Sequence, residues 1–546
     1  MRRTQSFVDN VLPCRSLLNR IAYVPGQRRR NCYADRLIQT SKITMQTPTR
    51  LAAVDLGSNS FRLEIGRIEH GQFYRTEYLK ETVRQGGGLD ENRNLTADAM
   101  QRGWDCLARF GERLAGFTEE EVGAVATQTL REARNRDAFL EHASKLLGFP
   151  IDVVSGREEA RLIYQGVAQS LPPSHERRLV IDIGGRSTEL ILGCGLEPQQ
   201  MESYRVGSIA WSMRYFADGV FSKRAFQMSE IAAKAVLDEA LSLYQSPHWD
   251  VAYGSAGTVN AVGDVLAASG WPTGSVSREG LDWLQEKLLA AQSADRLRLA
   301  GMKEDRKAII GGGLSILRAL FDLLGIDRLE QTTGGLRHGL LLDLMGHGQQ
   351  HTDLRAHSVE RLAAKFGADP VHGKRVGRVA NSLLTQLYAD ALKPAPSHLE
   401  RTALKLSWAG QLHEIGSHVS HSDYHKHGAY ILDNTDAMGF ALTELHKLSL
   451  LVLGHRGKLR KLEADFGDEL FVQQLLVLRL AVALCHARVD PVLDGITLVR
   501  DAKIINRFIL TCRNGWAQAF PQSAHLLQEE SVAWLKTPWS LMVQGG

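Results

Sequence analysis

The sequence has few cysteines and no long apolar run. Its six cysteines are scattered over 546 residues without a Cys-x-x-Cys pair, a usage typical of reduced thiols in a cytoplasmic protein. No stretch approaches the roughly 18 continuous apolar residues that a membrane-spanning helix needs. The N-terminal region also has no apolar run of signal-peptide length. These absences predict a cytoplasmic protein without a membrane span.

Beyond its first 50 residues the chain also lacks an excess of positive charge. The whole sequence has a net charge of +4, but residues 1–50 contain ten Lys/Arg and two Asp/Glu, so the rest of the chain sums to −4. A slightly acidic body argues against nucleic acid as a partner. With 44% apolar and 23% charged residues, the chain is neither disordered nor collagen-like. Its length predicts about three to four domains.

Residues 1–44 are rich in arginine and irregular, with three consecutive arginines at 28–30. One interpretation is a transit-like or nucleic-acid-binding arm, and the other is a disordered extension ahead of a start at Met45. Met45 lies six residues before the first apolar strand at Leu51, which favours the extension. We therefore expect residues 1–49 to form a disordered leader.

An internal repeat organises the next part of the chain. Residues 54–66 read VDLGSNSFRLEIG and residues 181–193 read IDIGGRSTELILG, with five identities at an offset of 127. In both copies an apolar strand ends in Asp, turns through small residues and returns as a strand. Because strands and helices alternate around both copies, the sequence predicts α/β architecture with two similar lobes that face each other across a cleft.

Three turns of glycine and short polar residues lie at 57–60, 184–188 and 254–258. Such turns expose successive backbone N–H groups and side-chain hydroxyls, which suit a phosphate group. A single turn of this kind is usually no more than a tight turn, but three of them, two in duplicated copies, favour phosphate binding. In the third turn we expect Gly257 and Thr258 to contact phosphate.

Carboxylates accompany these turns. Asp55 and Asp182 end apolar strands, and Glu189 follows on the returning strand of the second copy. Because Mg²⁺ prefers one or two carboxylates together with phosphate oxygens, all three are candidate Mg²⁺ ligands, with a monovalent cation such as K⁺ as a further candidate. The alternative for each aspartate is that it caps its turn. For Glu189 an unpaired carboxylate in an apolar strand would be costly.

Two further motifs follow strand ends. Ser155-Gly156 leads into a helix that opens with Glu158 and Glu159. The helix dipole favours a carboxylate at that position and accounts for one of the pair, while the other is a candidate general base toward a water molecule. Arg131 follows another strand and is either a bidentate phosphate clamp or an ordinary surface arginine.

These motifs together resemble one protein family. The segments VDLGSNSF, ATQTLREA, SGREEARLIYQG, LVIDIGGRSTEL, YGSAGTV and GGLRHGLL are similar, in order and spacing, to motifs of the exopolyphosphatase/guanosine pentaphosphate phosphatase (Ppx/GppA) family. The resemblance is strong over residues 50–345 and weaker to about residue 490. It implies a duplicated actin-like (ribonuclease H-like, ASKHA) two-lobe fold with a C-terminal all-α HD-like domain.

The expected domains follow the repeat and this resemblance. They are the leader (1–49), actin-like lobe I (50–172), actin-like lobe II (173–346) and a helical HD-like C-terminal domain (347–546).

The resemblance also implies roles for individual residues. Glu159 matches the catalytic base that activates water, and Asp182 and Glu189 match carboxylates at the metal and phosphate site. The matches to phosphate-contacting positions are Ser58, Asn59, Arg131, Gly184, Gly185 and Ser187.

Three features of the motifs depart from the family pattern, one of them the order GSAGT at 254–258 where a small residue followed by Ser-Gly-Thr is commoner. Arg186 stands where a third glycine is usual, and its side chain either adds a phosphate contact or narrows the loop. His338 stands where glutamate is usual.

The C-terminal half contains His413-Glu414 followed by several more histidines. The HD pattern has aspartate where Glu414 stands, and the expected upstream histidine is not at the matching place near Lys374. These departures predict a relic HD-like domain without metal, which serves dimerisation or grips polyphosphate.

The leading functional prediction is an exopolyphosphatase that removes terminal phosphate from inorganic polyphosphate with Mg²⁺. The alternative with the same chemistry is a guanosine pentaphosphate phosphatase of the stringent response. A non-catalytic polyphosphate- or nucleotide-binding regulator is an alternative from another class, and a sugar kinase is a further alternative. A kinase needs no water-activating glutamate, so the glutamates of SGREEARL argue against the sugar kinase. The resemblance and the large helical surface also favour a homodimer.

Overall fold

Two sheets with matching strand order organise residues 50–346. The structure is a computed structural model that describes residues 50–69, 72–346, 354–388 and 396–545. The predicted leader, 1–49, lies outside the described residues.

Lobe I is a five-stranded sheet with helices packed on its faces. The strand order is β3-β2-β1-β4-β5, with β1, β4 and β5 parallel and the β1-β2-β3 meander antiparallel. The strands are β1 (Arg50–Leu56), β2 (Phe61–Glu69), β3 (Gln72–Glu81), β4 (Val122–Ala126) and β5 (Asp152–Val153), and the helices are α1 (Ala97–Arg113), α2 (Gln128–Glu132), α3 (Arg136–Leu147) and α4 (Gly156–Ser170).

Lobe II repeats this order and adds one strand, giving β10-β11-β9-β6-β7-β8. Its strands are β6 (Arg177–Ile183), β7 (Thr188–Cys194), β8 (Glu197–Tyr204), β9 (Val251–Ser255), β10 (Ser275–Ser277) and β11 (Arg328–Gln331). The helices that follow are α5 (Ser208–Tyr215), α6 (Lys223–Leu237), α7 (Leu241–Tyr244), α8 (Ala256–Ala268), α9 (Arg278–Ala291), α10 (Glu304–Lys307), α11 (Ile310–Leu324) and α12 (Leu336–Gly346).

The predicted duplication is confirmed down to an irregularity in pairing. The register of the second and third strands shifts at Gly66 in lobe I and at Gly193 in lobe II, which occupy the same place in the repeat. A Cβ at Gly66 would lie 2.4 Å from Phe73, and one at Gly193 would lie 2.3 Å from Tyr164. Both positions therefore need glycine, because an aromatic ring covers the backbone there.

Helix α12 packs against lobe I, although the predicted boundary placed it in lobe II. Leu340 and Leu341 are buried in a cluster with Leu51, Ala53 and Val125, which belong to β1 and β4. Burial of this apolar surface joins the end of lobe II to the sheet of lobe I.

The C-terminal part is helical, as predicted, up to about residue 485. Its helices are α13 (Leu354–Lys365), α14 (Pro370–Leu387), α15 (Pro396–Leu412), α16 (Tyr424–Asp433), α17 (Leu442–Gly454), α18 (Glu469–Leu484), α19 (Trp516–Ala519) and α20 (Pro521–Trp534). None of the helices in the described residues is both long and apolar enough to span a membrane.

The expectation of an all-α domain needs correction beyond residue 485. A three-stranded sheet of order β12-β13-β14 is formed by β12 (Ile496–Arg500), β13 (Arg507–Cys512) and β14 (Ser540–Gln544). Buried and half-buried residues alternate along β13, the period of a strand. Apolar runs this short do not distinguish a strand from a helix in sequence.

The C-terminal domain contacts the start of helix α4. The N–H of Gly439 donates to Glu158 Oε2 at 2.9 Å, and Ala441 pairs with Val154 as an isolated β-bridge. Arg161, 1% exposed, donates to Glu158 Oε2 at 2.9 Å and to Glu158 Oε1 at 2.6 Å, and it also pairs with Asp343. Glu158 is therefore a structural residue that joins α4 to the C-terminal domain.

Replacement of Arg161 should strongly destabilise the protein. Arg161→Met leaves the buried Glu158 carboxylate without its cation, and removing one partner of a buried ion pair costs about 3–5 kcal/mol. Urea denaturation measures the change in the free energy of unfolding. Lys145→Met is the control, because it breaks an exposed pair with Glu141 and should leave the midpoint unchanged. An Arg161→Met protein as stable as this control would contradict the assigned role.

Candidate active site

A cleft of about 400 Å³ lies between the two lobes, where the three predicted glycine-rich turns meet. Ten of the predicted site residues line it: Asp55, Ser58, Asn59, Glu159, Asp182, Gly184, Gly185, Ser187, Gly257 and Thr258. The other three, Arg131, Arg186 and Glu189, are not among the described residues that line the cleft. Most of the residues predicted separately thus converge on one site.

The turns of the two lobes approach each other closely. A Cβ added at Gly185 would lie 2.9 Å from the Cβ of Ser58 in the opposite lobe, so this contact requires glycine. The Gly184 N–H donates to the Ser187 carbonyl at 2.9 Å and closes the second turn. In lobe I the hydroxyl of Thr129 donates to Ser58 Oγ at 2.7 Å. Both turns are therefore held in place, ready to present their polar groups to an anion.

The third turn contains a strained residue. Ala256 has a φ of +65°, a left-handed conformation that alanine rarely adopts. A Cβ at the next residue, Gly257, would lie 2.4 Å from Arg306 Nη2. The turn therefore brings a guanidinium group directly against its backbone at the edge of the cleft. Thr258, predicted to contact phosphate, donates its hydroxyl to the Ile183 carbonyl at 3.0 Å.

Glu159 lies in the first turn of α4 with its carboxylate at the cleft. Its Oε2 is 2.6 Å from Arg131 Nη1. Arg131 also donates to Gln128 Oε1 and to the Val154 carbonyl. These hydrogen bonds fix the guanidinium group that positions the Glu159 carboxylate. Burial raises the pKa of Glu159, while Arg131 acts in the opposite direction and Asp55 adds to the rise. A desolvated, oriented carboxylate of raised pKa is suited to accept a proton from water.

Asp182 and Glu189 are the carboxylates with the least compensation. Asp182 Oδ2 accepts a hydrogen bond from Ser255 at 2.7 Å, and Glu189 Oε1 accepts one from Ser203 at 2.7 Å. Burial, opposed by the Ser255 hydrogen bond and reinforced by Glu159, raises the pKa of Asp182 to about 6. Burial and the charges of Glu159 and Asp182 hold the pKa of Glu189 well above its usual range. Asp182 and Glu189 therefore leave this end of the cleft with negative charge that a bound cation would compensate.

Asp55 differs from Asp182 although the repeat aligns them. Its Oδ2 is 3.0 Å from Arg62 Nη1 and 3.6 Å from Arg337 Nη1. The residue opposite Asp55 in the neighbouring strand is Arg62, whereas the residue opposite Asp182 is Glu189. In lobe I the strand-end Asp55 is thus neutralised by an arginine. In lobe II the equivalent Asp182 has a second carboxylate, Glu189, opposite it.

The donor set fits Mg²⁺ through Asp182. Within the part of the chain that the structure describes, no three of these cleft carboxylates bring their oxygens within 4.8 Å of one another, so there is no all-protein cage. Mg²⁺ usually binds one or two carboxylates and completes its shell with water and phosphate oxygens. Asp182 offers such a carboxylate, while Asp55 is engaged by arginines and Glu189 does not line the cleft.

Arg186 forms an ion pair across the lobes. Its Nη2 is 2.7 Å from Glu132 Oε2, and its Nη1 donates to the Gly86 carbonyl at 2.9 Å. Both partners belong to lobe I, whereas Arg186 is in the second turn of lobe II. The predicted phosphate contact would require Arg186 to leave this pair, so the side chain acts here as a connection between the lobes.

Sequence reasoning missed the basic residues around the cleft. We call them the cationic rim, and they are Arg62, Lys80, Lys303, Arg306 and Arg337. Asp305 lies 3.5 Å from Lys80 and 3.9 Å from Arg306, and burial together with Arg306 lowers the pKa of Lys80. Arg62 belongs to the repeat and Arg337 to the segment GGLRHGLL, whereas Lys80, Lys303 and Arg306 lie in none of the motifs.

His338 lines the cleft and lies close to Glu64 of lobe I. Glu64 is 2% exposed, and its Oε2 lies 3.2 Å from Arg337 Nε while its Oε1 lies 3.8 Å from His338 Nε2. Burial lowers the pKa of His338. The unusual histidine therefore lies next to a buried carboxylate from the opposite lobe.

Comparison with known proteins identifies one family along most of the described chain. A model described as the Ppx/GppA phosphatase family matches residues 65–347, and a model of Ppx/GppA phosphatase domain III matches residues 354–531. A guanosine-5′-triphosphate,3′-diphosphate pyrophosphatase from Vibrio atlanticus is 35% identical over 500 residues, 91% of this chain and 99% of that protein. One from Pseudoalteromonas translucida is 36% identical over 495 residues, 90% and 98% of the two chains.

A solved structure is similar in fold. The crystal structure of an exopolyphosphatase from Cytophaga hutchinsonii has a TM-score of 0.50 and 24% identity, and it covers 55% of this chain and 98% of its own.

Removal of Arg131 should shift the pH dependence of phosphate release. Arg131 lowers the pKa of Glu159, so in Arg131→Gln the carboxylate stays protonated to higher pH. Because a base works only when deprotonated, the acid limb of kcat/KM should move to higher pH. Arg136→Gln, which removes an arginine paired with Asp137, is the control and should keep the wild-type profile. An unmoved acid limb in Arg131→Gln would contradict the role of Glu159 as the titrating base.

Proposed function

The chain belongs to the Ppx/GppA phosphatase family, and on that premise we propose that it hydrolyses the terminal 5′-phosphoanhydride of guanosine pentaphosphate. The observation that carries the proposal is the buried Glu159, held by Arg131 at a cleft that contains two opposed phosphate-type turns. Identity of about 35% over 90% of the chain to relatives named for this nucleotide supports it. The support for the predicted exopolyphosphatase activity is at family level only.

Hydrolysis requires a water molecule, a proton acceptor and donors for the transferred phosphoryl group. Glu159 takes the proton as the water oxygen attacks the terminal phosphorus, and the bond from that phosphorus to the bridging oxygen breaks, leaving a shortened nucleotide and inorganic phosphate. The backbone N–H groups of the two turns, with Ser58 and Ser187, orient the phosphoryl oxygens and balance their charge. Arg131 keeps the Glu159 carboxylate aimed at the cleft.

Mg²⁺ is part of this proposal. Asp182 would hold it with the help of phosphate oxygens, and it would supply neutralisation of the charge on the transferred phosphoryl group. The raised pKa of Asp182, about 6, is the mark of a carboxylate in a buried site with too little positive charge.

The cationic rim is suited to a substrate with anionic groups beyond the reacting phosphate. Arg62, Lys80 and Arg306 line the cleft together with Asp182 and Glu159. In the proposed substrate, a second diphosphate on the 3′ position would meet these side chains. The same rim suits a polyphosphate chain, so it makes polyphosphate the second candidate substrate.

Tyr78 distinguishes the two substrates. It lines the cleft and is 41% exposed, with the guanidinium groups of Arg337 and Arg75 at 5.3 and 5.5 Å from its ring centre. An exposed aromatic ring flanked by arginines offers a stacking surface for a nucleobase. Polyphosphate has no nucleobase, so stacking on Tyr78 does not contribute to its binding.

Glu159→Gln should abolish most turnover without preventing binding. Loss of a general base costs about 10²–10⁴-fold in rate, and glutamine keeps the shape of the side chain. Phosphate release from guanosine pentaphosphate and from polyphosphate measures turnover, and calorimetric titration measures binding. Full activity in the variant would exclude Glu159 as the base. A wild-type protein that binds but cleaves neither substrate would favour the regulator.

Tyr78→Leu should lower kcat/KM for guanosine pentaphosphate by about 5- to 150-fold, because a stacked base contributes about 1–3 kcal/mol. The rate with polyphosphate should stay unchanged. Tyr74→Leu is the matched control, since Tyr74 is 45% exposed on the same strand and should affect neither substrate. Lys80→Gln should lower the rate with both polyanions. Equal losses with both substrates in Tyr78→Leu would contradict stacking.

A further inference from the structure

A second cluster of potential ligands lies in the C-terminal domain, away from the residues that line the cleft. His372, at the start of α14, and His413-Glu414, directly after α15, bring one ligand atom each within 4.8 Å of one another. His372 and His413 are buried, and Glu414 is half-buried. Position 374 is a lysine and not the expected histidine, but His372 lies two positions before it, and its ring centre is 5.5 Å from that of His413.

Hydrogen bonds to backbone carbonyls leave one ring lone pair on each of two buried histidines, His413 and His455. His413 Nδ1 is 2.7 Å from the Gly410 carbonyl, and His455 Nδ1 is 2.6 Å from the Val452 carbonyl. Since a carbonyl only accepts, each Nδ1 carries the proton, and burial lowers the pKa of both rings. The Nε2 atoms of these neutral rings are therefore acceptors. This carbonyl-anchored arrangement is the usual one for metal-binding histidines.

One of these acceptors is unsatisfied. His455 is 1% exposed, and its Nε2 has no hydrogen-bond partner among the described residues. The His413 and His455 ring centres are 5.2 Å apart, so the orphaned acceptor adjoins the cluster. A buried lone pair without a donor costs free energy, and a cation satisfies it.

The carboxylate of the cluster is oriented by a neighbouring ion pair. Arg488 Nη2 is 2.6 Å from Glu414 Oε1, and Arg488 Nη1 is 3.2 Å from Asp369. This pair leaves Oε2 of Glu414 available. The other guanidinium near the cluster, Arg375, is 3.3 Å from His372 Nδ1 and is paired with Asp490. Both arginines are matched by carboxylates, so the cluster carries no uncompensated positive charge.

We propose that His372, His413 and Glu414 bind one divalent transition-metal ion, with His455 beside them. Two imidazoles and one carboxylate form a donor set that suits Zn²⁺ and leaves a further position for water or His455. Mg²⁺ prefers oxygen donors and does not match it. The ion would join the N-terminus of α14 to the end of α15, and its binding would stabilise the folded domain by mass action. The proposal replaces the predicted metal-free relic.

Zinc binding by the full chain tests this proposal. After dialysis against a chelator, Zn²⁺ should bind at about one ion per chain, measured by mass spectrometry of the desalted protein, and should raise the thermal midpoint. In Glu414→Gln and His413→Gln the bound zinc should fall at least fivefold and the midpoint should no longer respond. Co²⁺ in place of Zn²⁺ should give visible absorption typical of nitrogen coordination in wild type only.

Two controls separate ligand loss from other effects. His421→Gln removes an exposed histidine of the same segment and should keep the zinc. Arg488→Gln breaks the ion pair of Glu414 without removing a ligand, and should also keep it. Circular dichroism of the metal-free Glu414→Gln protein, a nearly isosteric change, checks that it is folded. A wild type that binds no more zinc than Glu414→Gln, or an Arg488→Gln protein that loses zinc equally, would overturn the assignment.

Discussion

Buried carboxylates meet at the junction of the two lobes, and within the described part of the chain they differ in whether an arginine compensates them. Asp55 is paired with Arg62 and Glu159 with Arg131. Asp182 and Glu189 instead accept hydrogen bonds from serine hydroxyls. Like charges in a poorly solvated site repel one another, so the surrounding fold must compensate them. The short helix α2 brings Arg131 to Glu159, and the cross-strand position of Arg62 compensates the charge of Asp55 in lobe I. The carboxylates without an arginine partner lie in lobe II, beside its glycine-rich turn.

The duplicated hairpins were predictable because their information is local. Alternating apolar residues, a strand-end aspartate and a small-residue turn recur at a fixed offset, and each hairpin closes over about a dozen residues. Seven of the ten predicted residues that line the cleft lie in these two hairpins. The resemblance to a known family then distinguished Glu159 from Glu158, whose carboxylate is used by Arg161 and Gly439.

Other features depend on contacts between residues far apart in the chain. Lys80 and Arg306 meet at Asp305 only after the two lobes are assembled, and neither belongs to a motif. The position of Arg186 in the turn predicted a phosphate ligand, but Arg186 forms an ion pair with Glu132 of the other lobe. His372 could not be related to His413 until α14 and α15 were packed together. Long-range electrostatics of this kind leaves no periodicity in a sequence. It also explains how a body with a net charge of −4 presents a basic surface to a polyanion.

The ion pair between Arg186 and Glu132 has a mechanical consequence. Enzymes made of two lobes commonly use part of the substrate's binding energy to bring the lobes together. Here Arg186 already ties the second turn to lobe I through Glu132 and the Gly86 carbonyl. The phosphate therefore meets turns that are assembled before it arrives, and less ordering is required on binding. Together with the pairs Lys80–Asp305 and Arg337–Glu64, the same ion pair opposes separation of the lobes.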